Sequence, residues 1–288
     1  MSDNATVPTG NKAVLALGRA ASGPGRMLEG LGRQLAFYVQ VYGYIYRTLA
    51  RYKTEVVRQI SATFLGTGAL ALVGGTAVIV GFLTGTTGAE VALQGSTQLK
   101  NVGVEALNGF FAAYINTRIA APLIAGVGLI ATVGAGFTAE IGAMRISEEI
   151  DALEVMAVPP IPFLVTTRVL AGFIAITPLY AIALFTSFAV GKFVSITFFH
   201  QSVGSYDHYF STFLIPRDII TSYIEVLMMS LVIISVHCYF GYTATGGPAG
   251  VGRAVGRSVR ASLVGIMFVL LFASLLLYGN SHTLHISR

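Results

Sequence analysis

Five long stretches of this chain, 59–89, 119–139, 169–191, 226–252 and 261–287, hold no Asp, Glu, Lys or Arg. A helix crosses the roughly 30 Å of bilayer hydrocarbon with about 20 mostly apolar residues, and each stretch is long enough. A soluble helix would place charge on its outward face at every turn or two. The pattern therefore predicts transmembrane helices at about 60–83, 106–136, 163–196, 218–243 and 259–280. Two interruptions stand out. EALNGFFAAYINTRIAAP puts Arg118 and Pro122 in the first half of the second helix. The proline predicts a kink or a re-entrant break, and Arg118 either snorkels or faces a polar cavity. Glu225 lies about two turns into the fourth helix. An ionisable group at the bilayer centre costs at least about 2.5–3.5 kcal/mol. Glu225 should thus face a cavity, a partner's cation or the hydrated outer interface.

The remaining segments divide by pattern. Residues 1–26 are polar and small, as in a mobile tail. In 27–58, Leu28, Leu31, Leu35, Tyr38, Tyr42, Ile45 and Leu49 recur at helical spacing among arginines and tyrosines. That combination predicts an amphipathic helix along the membrane interface. Residues 59–288 form the membrane domain. TGTTGAEVALQGSTQLKNVG reads as a polar outer connection, and the segment with His200, Asp207 and His208 as another. Pro216 and Asp218 suit the first turn of the fourth helix. The 241–260 segment, rich in glycine and arginine, reads as an inner loop. Gly66, Gly68, Gly74, Gly75, Gly81 and Gly85 permit close helix approach, either within the chain or at a seam with a second subunit.

Composition agrees with lipid as the main solvent. The chain is 54% hydrophobic and 11% charged, with a mean hydropathy of +0.73, whereas soluble domains carry about 25% charged residues. Thirteen basic residues flank the helix ends on the N-terminal side of the membrane and four the other side. The asymmetry predicts a cytoplasmic N-terminus and an outside C-terminus in the cytoplasmic (inner) membrane. The net charge of +5 is then a topology signal, and no nucleic-acid role follows from basic residues dispersed along membrane flanks. No cleavable signal peptide is expected from the polar start. The single cysteine, Cys238, excludes an intrachain disulfide. No phosphate-binding G-x-x-x-x-G-K-[ST] run occurs, so the chain is not its own ATPase. His282 and His285 lack a third ligand, no metal site is expected, and His237 suits a hydrogen bond within the bundle better than catalysis.

One short segment breaks the apolar background. Five of the thirteen carboxylates, Glu140, Glu148, Glu149, Asp151 and Glu154, fall within 139–160. Ser147 can cap a helix whose first turns are acidic. Ile146, Ile150, Leu153 and Ala157 follow at steps of four, three and four and form one apolar stripe, and Pro159 and Pro160 stop the helix. A helix with both an apolar stripe and a carboxylate edge fits a partner groove of apolar and basic side chains.

Here a resemblance enters. TAEIGAMRISEEIDALEVMAVPP, 138–160, resembles the signature of the MlaE/YrbE permeases, membrane subunits of ABC-type lipid transporters that work with Mce-domain proteins. GYTATGGPAGVGRAVGRSVRAS, 241–262, is similar to a second run of that family. With the five windows and the N-terminal interfacial helix, which also fit the family's layout, the resemblance covers roughly residues 27–280 and implies an all-α integral membrane protein with five spans, an interfacial helix and a coupling helix. In the family the loop after the second span carries the helix that seats in a cleft of a cytoplasmic ATPase dimer. By residue match, the resemblance implies ATPase coupling through Glu140, Arg145, Glu148, Glu149, Asp151, Ala152, Leu153, Glu154 and Met156. ATP and Mg would be held by that partner and no cofactor by this chain. Two departures, Thr132 in place of a family arginine and Glu225 in place of a frequent lysine, make the chain most similar to the B-type YrbE subunit of actinobacterial, such as mycobacterial, Mce systems. That implies a heterodimer with a paralogous permease around an outward-opening apolar cavity. Mce-domain proteins would lie on the outer side, with a lipid as substrate. Arg118 and Glu225 remain as partner or cavity contacts. A membrane scaffold, or a secondary transporter or channel for a hydrophobic solute, is the alternative. The second of these would call for several buried ionisable residues or inverted repeats.

Overall fold

The run of charge-free windows becomes a bundle of long helices. The computed structural model describes residues 29–65 and 75–278, and every regular element among them is helical. In chain order these are α1 (29–43), α2 (Ile45–Arg51), α3 (Lys53–Leu65), α4 (Gly75–Asn101), α5 (Glu105–Ile146), α6 (Glu149–Val155), α7 (Ile161–Thr197), α8 (Val203–Phe213), α9 (Pro216–Tyr242) and α10 (Gly247–Tyr278). Five of them, α4, α5, α7, α9 and α10, are long and apolar enough to cross a membrane. The protein is an all-α integral membrane protein.

α9 lies at the centre, against α5, α7 and α10, and α4 runs along α7. Leu129 and Ile130 of α5, Ile176 and Leu179 of α7, Met229, Ile233 and Ile234 of α9 and Ile266 of α10 meet in the core. α10 is peripheral: 17% of its apolar window is buried, against 56% for α5 and for α9. One face of α10 is left to lipid or to another chain.

The first span differs from expectation. The sequence places it at 60–83, yet α4 runs from Gly75 to Asn101 and the expected polar connection is helical. Four of its threonines satisfy their donors within the helix. Thr84, Thr86, Thr87 and Thr97 return their hydroxyls to carbonyls three or four residues back. Gly81 and Gly85 face Ile182 and Val190 of α7, which is packing within the chain. Gly66, Gly68 and Gly74 lie outside the described residues, as do Leu28, the 1–26 tail, His282 and His285.

α5 is a single helical run of 42 residues. It contains two wider π turns, Asn116–Ala120 and Ile130–Gly134. Pro122 stands two residues after the first, where Ala121 N–H reaches Asn116 O. The wider turn takes up the proline, so the expected break does not occur. Two further segments read as loops are helical. α8 stands in the 203–213 stretch, held by Tyr206, which is buried. α10 begins at Gly247 because Gly250, Ala254, Ser258 and Ser262, at steps of four, bury a small-residue face that packs on α5.

The predicted interfacial helix is three short helices. Its inward face is Phe37, Val41, Thr48 and Val56, with Tyr38 and Tyr42 of the predicted stripe packed beside them, whereas Leu31, Leu35 and Leu49 of that stripe are exposed. Both faces are apolar, and periodicity alone could not rank them. The inner face is fixed by specific contacts. Phe37 packs on Tyr239 and Tyr242. Tyr42 bonds Ser235 at 2.7 Å. Thr48 donates to Pro162 O and Thr166 to Val41 O, each at 3.2 Å. These contacts put α1 and α2 on the same side of the bundle as the start of α7 and the end of α9.

Candidate functional site

The acidic helix α6 hangs on that side between the end of α5 and the start of α7. Its local chemistry differs from the expected cap. Ser147 closes α5 instead: its hydroxyl donates to Ala143 O at 3.0 Å and to Glu149 Oε1 at 2.9 Å. Glu148 takes the reversal, with φ 61°, and α6 begins at Glu149. At the other end Val158 N–H reaches Leu153 O at 2.9 Å and Ala157 N–H reaches Glu154 O at 3.0 Å. Ala157 has φ 58°. This pair of bonds with a left-handed residue is the Schellman ending that normally favours glycine. Ala157→Gly is therefore expected to stabilise the purified protein by up to about 1 kcal/mol, read as a higher unfolding midpoint. Ala157→Val, β-branched in the same conformation, should lower it. Equal midpoints for the two variants would contradict this account.

The apolar stripe is spent inside the molecule. Ile150 is fully buried and Leu153 packs on the core, so the surface left over is mainly anionic with a few apolar residues. Glu148, Glu149, Asp151, Ala152 and Glu154 are all exposed. Beside them stand Val155 and Met156, 89% and 63% exposed. Val155 is the residue that sequence reasoning missed; it falls off the predicted stripe, which is the signal that could have found it. Arg145 holds Asp151 across the α5–α6 corner at 2.7 Å, and its guanidinium lies 6.0 Å from the Tyr242 ring centre. Exposed pairs of this kind contribute only about 0.2–1 kcal/mol, so the pair orients the corner more than it stabilises it.

Two of the predicted coupling residues are elsewhere. Leu153 faces inward. Glu140 turns back along α5 to Arg168 of α7 at 3.1 Å, where Arg168 also donates to Leu164 O. That pair ties the two spans that carry α6. Nearby on α3, burial would raise the Glu55 carboxyl. Hydrogen bonds from Arg58 at 2.7 and 2.9 Å and from Gln59 at 2.8 Å outweigh it and hold the group below its ordinary value.

Arg118 and Glu225 occupy neither a partner surface nor the snorkelling position considered for Arg118. Arg118 is buried and donates to Asp218 Oδ2 through Nε at 3.0 Å and Nη2 at 2.8 Å, and to Tyr114 OH at 3.0 Å. The Tyr114 and Tyr278 rings lie 4.3 and 4.5 Å from its guanidinium carbon. Asp218, read from the sequence only as a helix-dipole residue, is its counterion. Glu225 is 0% exposed, and neither carboxylate oxygen has a hydrogen-bond partner among the described residues. His237 bonds Thr138 at 2.8 Å inside the bundle. Among the described residues no three His, Cys, Asp or Glu side chains converge as metal ligands.

The site is thus an anionic helix suspended between two spans. Comparison with known proteins gives it a context. A probable ABC transporter permease protein of Synechocystis is 28% identical over 211 residues, 73% of this chain and 80% of that one. One of Rickettsia prowazekii is 32% identical over 218 residues, 75% of this chain and 80% of that one. The chloroplastic protein trigalactosyldiacylglycerol 1 of Arabidopsis thaliana is 30% identical over 185 residues, 64% of this chain and 53% of that one. The family model described as permease MlaE matches residues 66–276, which include α4 to α9, nearly all of α10 and the whole of the α6 corner, and the chain belongs to that family.

Proposed function

We propose that this chain is the membrane permease subunit of an ATP-driven lipid transporter, and that α6 is the helix through which a partner ATPase moves it. The observation that carries the reading is α6 itself. Its apolar stripe is satisfied within the chain, so its exposed carboxylates and Val155 remain for a partner. Its two ends are continuous with spans α5 and α7, which Glu140 and Arg168 tie together. A push on the corner would tilt both spans as one body. The relatives from Synechocystis and Rickettsia are described as ABC transporter permeases, and the Arabidopsis relative carries the name of a glycolipid; both support the reading.

In this reading ATP and Mg sit on the ATPase dimer, the N-terminus and α6 are cytoplasmic, and a second permease, a YrbE-type paralogue, completes an apolar cavity open to the outside. Mce-domain proteins receive or deliver the lipid there. The cavity would hold an acyl chain by burial, at about 25 cal/mol per Å², and a shape change that wets or collapses it would release the lipid. The B-type assignment rests on Thr132 and Glu225 alone.

Purification in mild detergent, with mass spectrometry of co-eluting proteins and lipids, tests the assembly. Glu149→Lys combined with Asp151→Lys tests the corner. Like-charge contacts across an interface cost several kcal/mol, so ATPase association should fall on the order of a hundredfold while the permease itself stays monodisperse. Undiminished association would rule out α6 as the electrostatic docking element. Absence of any nucleotide-binding subunit from the wild-type preparation would remove the coupling proposal altogether.

A further inference from the structure

Along α10, Arg253, Arg257, Arg260, Val264, Met267 and Leu271 follow one another at steps of four, three, four, three and four. This spacing is one face of a helix, and all six residues are exposed. The face changes chemistry once. Its first part bears three guanidiniums; from Val264 onward it is apolar, with Phe268 beside Met267. None of the three guanidiniums has a carboxylate within 4.0 Å among the described residues. They line a pocket of about 350 Å³ with Thr245, Gly250 and Gly256. The glycines make the room: Arg253 Nη2 lies 3.1 Å from the place a Cβ on Gly246 would take, and Arg260 Nη1 3.6 Å from that of Gly256. Arg257 lies 5.6 Å from the Phe240 ring centre, an arrangement suited to the headgroup layer. The positive end of the α10 dipole adds to the field there.

We propose that this pocket binds the phosphate headgroup of an anionic lipid in the leaflet on the α6 side, with its acyl chains lying along Val264, Met267, Phe268 and Leu271. Charge complementarity selects an anion, and guanidinium groups fit phosphate oxygens in pairs. Continuity selects a lipid over a soluble partner. The same face runs without interruption from the arginines into a stripe fit for hydrocarbon, which an acyl chain uses and a soluble protein does not. The site is on the outer surface of the bundle, and its lipid is a resident one. Val251, in the same helical turns, packs on Gly142 of α5, with 3.0 Å from its Cγ1 to the place a Cβ there would take. A lipid seated here therefore steadies the end of α5 from which α6 hangs.

The chain contains no tryptophan, so Phe268→Trp places a single fluorophore on this face. The full-length protein is reconstituted in phosphatidylcholine vesicles containing either brominated phosphatidylglycerol or brominated phosphatidylcholine, and quenching gives the relative occupancy of the site. Each basic residue near a membrane surface contributes about fivefold toward an anionic lipid. The expected result is a preference for phosphatidylglycerol of at least about fivefold. It should fall to near one in R253Q/R257Q/R260Q and persist in R47Q/R51Q, which removes charge from α2. Val264→Trp, on the same exposed face and nearer the arginines, serves if the first reporter does not fold. Equal quenching by the two lipids, or a preference that survives the triple substitution, overturns the proposal. So does abolition of the preference by soluble inorganic phosphate, which would assign the pocket to a free anion. Its loss on adding a co-purified ATPase subunit would assign the arginines to a protein contact and likewise overturn it.

Discussion

Replacing Arg118 by methionine should destabilise the protein by about 3–5 kcal/mol, the usual cost of removing one member of a buried ion pair. The side chain is replaced at similar length, so the loss is mainly electrostatic. Asp218, 5% exposed, would be left buried without its guanidinium partner. The Tyr114 and Tyr278 faces would lose the cation between them. Asp218→Leu alone should cost a comparable amount by stranding the guanidinium. The double variant Arg118→Met/Asp218→Leu should recover most of the loss, because a pair replaced by apolar groups of similar volume is often close to neutral. Arg118→Lys should fall between, since an ammonium cannot present both Nε and Nη2 to one oxygen. Unfolding midpoints in a single detergent measure all four. If the two single losses simply add in the double variant, the side chains are not coupled, and the pair does not hold α5 to α9.

That pair also shows where the sequence was readable and where it was not. An arginine inside an apolar span had to be explained, and snorkelling or a polar cavity were the answers the sequence offered. Asp218 had a sufficient local role at the start of α9, so nothing in the linear order pointed it 100 residues back to Arg118. The five spans were legible because bilayer thickness imposes a length and an absence of charge. Where polar residues satisfy themselves, that rule fails. The threonines of α4 bond their own helix, and the Gly, Ala and Ser face of α10 packs on α5, so both read as loop. α6 was legible as an acidic helix with an apolar stripe. Which side the stripe would face was not, since periodicity gives a direction only relative to the helix itself. The stripe faced the chain's own core, and the exposed surface of the corner shrank to the carboxylates, Ala152, Val155 and Met156. Arg145 and Asp151 were recognisable as members of the site, whereas the Glu140–Arg168 tie depended on the relative placement of α5 and α7.

The second large effect is expected at Gly88, where α4 crosses α7. A Cβ there would collide with the backbone carbonyl of Ser187, whose carbonyl carbon would be 2.8 Å away. A side-chain obstacle can rotate aside; a carbonyl fixed in a helix cannot. Gly191 meets Gly88 from the other side, a Cβ on it standing 3.2 Å from Gly88 O, so the two backbones touch with nothing between them. Gly88→Ala should thus cost about 1–3 kcal/mol as overpacking, against the up to about 1 kcal/mol that alanine ordinarily gains over glycine in a helix. Gly88→Val should exceed it and lower the yield of folded protein. Ser187→Gly should not rescue either variant, because the obstacle is main chain. Gly204→Ala in α8, where a Cβ would meet only Ser202 Oγ at 4.0 Å, should leave the midpoint unchanged or raise it. If Gly88→Ala proves as harmless as Gly204→Ala, α4 and α7 are free to separate. The α4–α7 seam would then be a moving surface of the bundle, whereas the backbone contact described here makes it a fixed one.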